Sequence, residues 1–174
     1  MSLFDRYIHF KKNTFTVTLL RKRLMYDISL AAHISSLSVE GDGHLVADTE
    51  STSRLNRITE SLDRAWMNIM AKTSAYQKDL TDEDINDEET DSLEDNESYS
   101  IALRMPVAFP RSLATVVKND MHDYMVNYAI ADWYSFLKKD EAERFAILSA
   151  NNITDLKAHL DTRVSPARTH LDPF

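Results

Sequence analysis

Residues 112–162 read SLATVVKNDMHDYMVNYAIADWYSFLKKDEAERFAILSANNITDLKAHLDT. Its apolar side chains recur at spacings of three and four residues, which is the period of an α-helix. Asp140, followed by Glu143 three positions later, matches the capping box that opens a helix. The stretch therefore predicts two helices, over 111–138 and 140–162, that pack as an antiparallel hairpin.

Two further helices are predicted nearer the N-terminus. Apolar residues recur at helical spacing from Leu20 to Ala32, which predicts a helix over 17–35. A longer apolar stripe from Leu55 to Thr73 predicts a second helix over 51–75.

A single strand is predicted over 99–105, where apolar and polar residues alternate. It is expected to pair with 7–10 or with a neighbouring molecule. The fold class is therefore mostly α: a four-helix bundle-like domain with a long C-terminal helical hairpin, a short accessory β-strand and extended terminal arms. The expected core residues are Leu62, Trp66, Val117, Met121, Tyr128, Phe145 and Leu156.

The chain has 174 residues, the size of one domain. Three parts are predicted: an N-terminal arm (1–15), a helical domain (16–162) with an acidic insert (78–98), and a C-terminal tail (163–174). Neither a signal-peptide layout nor an apolar run of membrane-spanning length occurs in the sequence. We therefore expect a protein made in a cytoplasm, with no membrane partner.

The net charge of −8 is unevenly distributed. Eleven carboxylates and no Lys or Arg lie between Asp79 and Glu97. The other 155 residues include 20 basic and 17 acidic ones, so they carry a net charge of +3. The body is slightly basic, and the acidic overall charge does not exclude contact with nucleic acid.

Sequence motifs for catalysis or metal binding are absent. Two glycines, Gly41 and Gly43, cannot supply a phosphate loop, a dinucleotide fingerprint or a nucleophile elbow. The lack of cysteine excludes disulfides and thiolate metal sites. Asp82 and Asp84 match a calcium loop, but Asp87 stands where that loop requires glycine. We predict a protein that is not an enzyme, with no catalytic, metal or cofactor residues.

His122, with Asp120 and Asp123, has the residue types of an acid–base cluster. Adjacent residues on a helix point about 100° apart, so we predict that His122 and Asp123 do not share a face. A surface or packing histidine is the expected role.

Basic and aromatic side chains are the candidate contacts with partners. Arg54, Arg57 and Arg64 fall on one side of the second predicted helix, where they could follow phosphates or meet an acidic protein surface. Tyr134, beside Trp133, is expected to face a partner, because both residue types are favoured at interfaces. The remaining candidates lie in the tail: Arg163, Arg168, Leu171 and Phe174.

Six short stretches carry a resemblance to a known family. They are Leu20–Asp27 (LRKRLMYD), Arg57–Ala65 (RITESLDRA), Tyr128–Tyr134 (YAIADWY), Asp140–Phe145 (DEAERF), Leu160–Arg163 (LDTR) and Leu171–Phe174 (LDPF). Together they resemble small structural proteins of tailed bacteriophages and of prophages of gut Bacteroides-type bacteria. The chain departs from them at the tail, where Arg163 and Arg168 replace a denser run of arginines.

The resemblance implies a role in the neck of a virion. It implies a head–tail connector, or portal adaptor, that assembles as a homo-oligomeric ring between the portal and tail proteins. Nonspecific contact with DNA in a channel is the further partner it implies, with synthesis in the host bacterial cytoplasm and incorporation into the virion. The alternative is a cytoplasmic helical regulatory protein that binds a basic partner through the acidic segment 79–97.

Overall fold

The computed structural model describes residues 8–11, 13–37, 52–77 and 98–164. The rest of the acidic insert and the tail from 165 onward lie outside these ranges, so the predictions made for them stay predictions. The described residues form four long helices and a small antiparallel sheet. The predicted class, mostly α with an accessory β element, is confirmed.

The elements follow one another in a β-β-α-α-β-α-α order. The strands are β1 (Ile8–Lys11), β2 (Thr14–Leu20) and β3 (Ser98–Arg104); the helices are α1 (Arg21–Leu37), α2 (Thr52–Thr73), α3 (Leu113–Tyr134) and α4 (Lys139–Asp161). A 3₁₀ turn, Ser74–Tyr76, follows α2. None of the helices in the described part of the chain combines the length and the apolar character that crossing a bilayer requires.

The strand β2 corrects two predictions. Residues 14–20 were expected to be the end of an arm and the start of a helix, but they form the central strand of the sheet. Phe15, Val17 and Leu19 are buried and alternate with half-buried neighbours, as in a strand with one covered face. Thr and Val, both β-branched, favour this geometry. The first helix therefore begins at Arg21.

The sheet has the order β1-β2-β3, and both strand pairs are antiparallel. Phe10 lies opposite Phe15 in the first pair, and Val17 lies opposite Ile101 in the second. The predicted pairing of 99–105 with 7–10 is therefore wrong, because β2 lies between them. The sheet also includes residues 8–11 and 14–15 of what was expected to be a free N-terminal arm.

The helix α3 is the centre of the fold. It packs against α1, α2, α4 and β2, and a helix covered on so many sides needs apolar residues around most of its circumference. Its buried residues include Val117, Met121, Tyr124, Met125, Val126, Ala129, Ile130, Trp133 and Tyr134.

The predicted hairpin of α3 and α4 is confirmed. The Tyr134 and Phe145 rings stack at 6.1 Å, Asn127 donates to the Asn152 side chain, and Asp120 meets His159. Each step between these pairs is seven residues on both helices, or about two helical turns. The two helices therefore run antiparallel and in register over the whole hairpin.

The turn between these helices differs from the prediction. The helix α3 ends at Tyr134, where Lys138 N–H donates to the Tyr134 carbonyl and closes the turn. Lys138 is extended (φ −147°, ψ 96°) and occupies the N-cap position of α4. Asp140 is therefore already helical, and the predicted cap is wrong. It lies instead in the first turn, where a carboxylate favourably meets the helix dipole.

Five of the seven predicted core residues are buried: Leu62, Val117, Met121, Phe145 and Leu156. Trp66 and Tyr128 are only partly buried. They pack at the margin of the core, Trp66 against the Tyr99 ring and Tyr128 against the Tyr124 ring.

Candidate functional site

The arginines predicted to meet a partner join α2 to α3 within the fold. The Asp132 carboxylate accepts from Ser61 Oγ at 2.6 Å and from Arg64 Nη2 at 3.2 Å. Arg57 Nη2 donates to the Asp132 carbonyl at 3.0 Å, and its Nε lies 3.6 Å from the carboxylate. Arg57 and Arg64 thus have intramolecular partners; the Arg64 side chain is also 53% exposed, and the expectation that these arginines meet phosphates or another protein stays a prediction. The Arg54 side chain lies outside the described residues.

Tyr134 is fully buried, so the prediction that it faces a partner is wrong. Its hydroxyl donates to the Ala32 carbonyl of α1 at 3.1 Å, and its ring stacks on Phe145 of α4. Tyr134 therefore ties together three helices. The physical reason is that α3 lies at the centre of the fold and has neighbours on several sides. An aromatic residue that would be exposed on a helix with only one covered face is therefore buried here.

Arg163 is the one tail candidate that the structure describes. Its Nη1 donates to the carbonyls of Leu160 and Thr162, closing the end of α4. The next residue, Val164, donates its N–H to the Ala108 carbonyl at 2.8 Å. The described start of the tail therefore packs on its own domain. Arg168, Leu171 and Phe174 lie outside the described residues.

His122 corrects the prediction about helix faces. Its Nδ1 lies 3.2 Å from Asp123 Oδ1, because the two side chains bend toward each other in spite of their divergent Cα–Cβ directions. Its Nε2 lies 3.0 Å from Asp27 of α1, close enough for an ion pair but poorly aligned for a hydrogen bond. Among the described side chains, no three histidine or carboxylate groups converge as metal ligands.

A second polar cluster joins α1, α2 and β3. The Tyr99 hydroxyl donates to Asp63 at 2.5 Å, and Arg21 donates to both groups at 3.2 Å. Burial, followed by the hydrogen bond to Asp63, raises the pKa of Tyr99 from 10.0 to about 12, and Arg21 opposes this rise. The cluster holds the neutral phenol in place.

We expect the free energy of unfolding to fall less steeply with rising alkaline pH in Tyr99→Phe than in the wild type. Between about pH 10 and pH 12 the unfolded tyrosine ionises while the folded one stays neutral. This linkage favours the unfolded state progressively as the pH rises. Urea unfolding at several pH values should therefore show a shallower alkaline decline in the variant than in the wild type. Tyr26→Phe, at an exposed position, is the control and should keep the wild-type slope; an unchanged slope in Tyr99→Phe would contradict the assignment.

A pocket of about 70 Å³ opens where β2 passes into α1, facing α3. Its polar lining is Thr18, Arg23, Lys118, Asn119 and His122. Burial, and to a smaller extent the neighbouring charge of Arg23, lowers the pKa of Lys118. Two cationic side chains of different helices thus lie close together in one half-open pocket.

Large apolar side chains are exposed on the outer helices α1 and α4, and also on α2, where Met67 is 68% exposed. The α1 surface consists of Tyr26 (67% exposed) and Leu30 (46%). The α4 surface consists of Ile147 (56%) and Leu148 (40%). These residues lie off the apolar stripes of their helices, so helical periodicity does not mark them as candidate contacts. The sequence feature that could have identified them is a large apolar residue outside the buried stripe of its helix.

The two surfaces belong to helices on opposite sides of α3. Asp120 and Asn127 contact α4, whereas His122 meets Asp27 of α1. At about 100° per residue, His122 lies roughly 150° around α3 from Asp120 and Asn127. The fold therefore presents exposed apolar residues on two faces that point in different directions.

No protein-family model, curated protein or solved structure matches the chain.

Proposed function

We propose that this chain is a non-enzymatic structural protein of a tailed-phage virion. It acts as a head–tail connector that assembles as a ring between the portal and the tail. Assembly into a ring is supported by one observation, the pair of exposed apolar surfaces on helices that lie on opposite sides of α3. The assignment to a phage neck rests on the sequence resemblance.

A ring requires two different contact surfaces on each subunit. In a head-to-tail interface one patch of a subunit meets a different patch of the next, and the ring closes when the rotation between subunits permits. The α1 and α4 surfaces supply such a pair. Each surface combines two large apolar side chains that are at least 40% exposed, and burial of such side chains in a contact is favourable.

The charges of the two outer helices are complementary. α1 carries three basic residues and one acidic residue, whereas α4 carries three basic and five acidic ones. Opposite charges across an interface steer association and disfavour pairing of like surfaces. The charge pattern therefore favours contact of α1 with α4 over contact of either helix with its own copy.

Mixing two surface variants tests the ring. Tyr26→Asp disables the α1 surface and Ile147→Asp the α4 surface, so each variant alone should sediment as a monomer. A mixture should form dimers, because one subunit offers an intact α1 surface and the other an intact α4 surface. A charge at such a contact is expected to weaken it by about 30-fold or more. Sedimentation velocity measures the species, and the wild-type protein should show rings by negative-stain microscopy.

The control is Met67→Asp, at an exposed position of α2 that belongs to neither surface; it should assemble as the wild type does. Assembly of both single variants as rings would contradict the proposed interface. Failure of the mixture to associate would contradict the head-to-tail arrangement.

The virion role has a separate test. Purified particles of a phage that encodes the chain should contain it, and gold-labelled antibody should mark the junction of head and tail. Its absence from the particles would rule out the connector role, whatever the result for self-assembly.

A further inference from the structure

The directions of the outer helices decide how two copies of the chain can meet. The helix α1 contacts α3 through Asp27 and His122 and, farther along both helices, through Ala32 and Tyr134. The helices α1 and α3 therefore run in broadly the same direction. Since α4 runs antiparallel to α3 in the hairpin, α1 and α4 of one subunit run in opposite directions on opposite sides of α3.

A ring preserves this relation between neighbouring subunits. In a ring of about six or more subunits, a neighbour is rotated by no more than about 60°. The α4 helix of that neighbour therefore keeps approximately the direction of α4 in the first subunit. When the α1 surface of one subunit meets the α4 surface of the next, the two helices pack antiparallel. The positive end of each helix dipole then lies beside the negative end of the other, which is favourable.

Exposed charged residues indicate the register of this antiparallel pair. On α1, the exposed Lys22 precedes Leu30 by eight positions. On α4, the exposed Asp155 follows Ile147 by eight positions. At about 100° per residue, Asp155 also lies about 20° from Leu148 around α4, so the carboxylate borders the apolar surface. Because the two spacings are equal, Lys22 lies opposite Asp155 when Leu30 lies opposite Ile147.

We propose that α1 of one subunit packs antiparallel against α4 of the next, with Leu30 against Ile147 and an ion pair between Lys22 and Asp155. This contact rests on the head-to-tail assembly proposed above and specifies its register. The apolar pair supplies the buried area. The ion pair lies at the margin, where opposite charges contribute more to register and specificity than to affinity.

Disulfide cross-linking of the full chain tests the register, because the wild-type sequence contains no cysteine. Lys22→Cys combined with Asp155→Cys should give a ladder of covalent multimers on a non-reducing gel after mild oxidation. A disulfide within one subunit is excluded, because it needs Cα atoms within about 7 Å and the two helices lie on opposite sides of α3. Lys22→Cys combined with Asp140→Cys is the matched control. Asp140 is also exposed but lies near the other end of α4, so this pair should cross-link about tenfold more slowly or less.

The outcomes separate this register from the ring itself. Preferential cross-linking between positions 22 and 140 would mean that the helices pack in parallel, which would overturn the register and leave the ring intact. Rings detected by sedimentation velocity without cross-linking of either pair would overturn the contact of α1 with α4 at these positions. A wild-type protein that stays monomeric would contradict the proposed assembly and this contact with it.

Exchange of the two charges provides a second measurement. Lys22→Asp should weaken self-association by about threefold or more, because it sets two carboxylates opposite each other. Lys22→Asp combined with Asp155→Lys should restore the wild-type affinity, whereas Lys22→Asp combined with Asp140→Lys should not. An unchanged affinity in Lys22→Asp, or restoration by Asp140→Lys instead of Asp155→Lys, would overturn the pairing of Lys22 with Asp155.

Discussion

Leu62→Ala and Leu156→Ala are each expected to lower the free energy of unfolding by about 2–5 kcal/mol. Both side chains are almost completely buried, Leu62 on α2 and Leu156 on α4. Each packs in the same continuous core. Truncation removes apolar contact and leaves a cavity that the surrounding helices only partly fill. Urea unfolding followed by circular dichroism measures the change.

Exposed residues of the same helices provide the controls. Met67→Ala on α2 removes a side chain that is 68% exposed, and Lys157→Ala on α4 changes an exposed residue beside Leu156. They should change the free energy of unfolding of the monomer by no more than about 0.5 kcal/mol. A loss of stability in the control as large as in its buried counterpart would mean that the buried and exposed faces of that helix are assigned incorrectly.

Helical periodicity predicted the parts of the fold in which one face of a helix is covered. The helix α2 has a single apolar stripe with polar residues opposite, and its predicted range, 51–75, is close to the observed Thr52–Thr73. The hairpin partner α4 also has one covered face, which includes Phe145 and Leu156. In both helices the apolar positions in the sequence agree with the buried positions in the structure, because a helix that is covered on one face has a single apolar stripe.

The strand β2 could not be recognised from that period. Leu20 and Leu24 are four residues apart, as in a helix, but Leu20 ends the strand and Leu24 belongs to the first turn of α1. Because β2 passes into α1 without an intervening loop, the sequence lacks the turn residues that normally separate a strand from a helix. The buried alternation of Phe15, Val17 and Leu19 was the signal that favoured the strand.

The intramolecular partner of the candidate arginines could not be predicted from the sequence, for a different reason. The sequence showed Arg57 and Arg64 on one side of a helix, but their partner Asp132 lies far away along the chain. The pairing depends on the antiparallel register of α2 and α3, in which Arg57 meets the Phe136 ring and Asn68 meets Tyr124. The spacing of residues within one helix does not reveal how that helix is aligned with another. The same arginine spacing therefore occurs whether the arginines face a partner protein or a neighbouring helix.

Asp132→Ala is expected to lower the free energy of unfolding by about 2 kcal/mol. The carboxylate accepts from the buried Ser61 hydroxyl and from Arg64, and it lies near Arg57 Nε. Hydrogen bonds to a charged group contribute about 1.5–3 kcal/mol. The lower part of this range applies because Arg64 is half-exposed to solvent, which screens its charge. Ser61 keeps the Arg57 carbonyl as an alternative acceptor at 3.0 Å, which limits the penalty further.

A double-mutant cycle separates the two contributions to this cluster. Asp132→Ala combined with Ser61→Ala should show a coupling of about 1 kcal/mol, because the short bond between these groups is shielded from water. Asp132→Ala combined with Arg64→Gln should show a coupling below about 0.5 kcal/mol, and that coupling should fall further at high salt. A larger coupling to Arg64 than to Ser61 would mean that the ion pair, and not the buried hydroxyl, holds α2 against α3. If Asp132→Ala unfolds at the same urea concentration as the wild type, then the apolar contacts of α2 and α3 are sufficient to set their register.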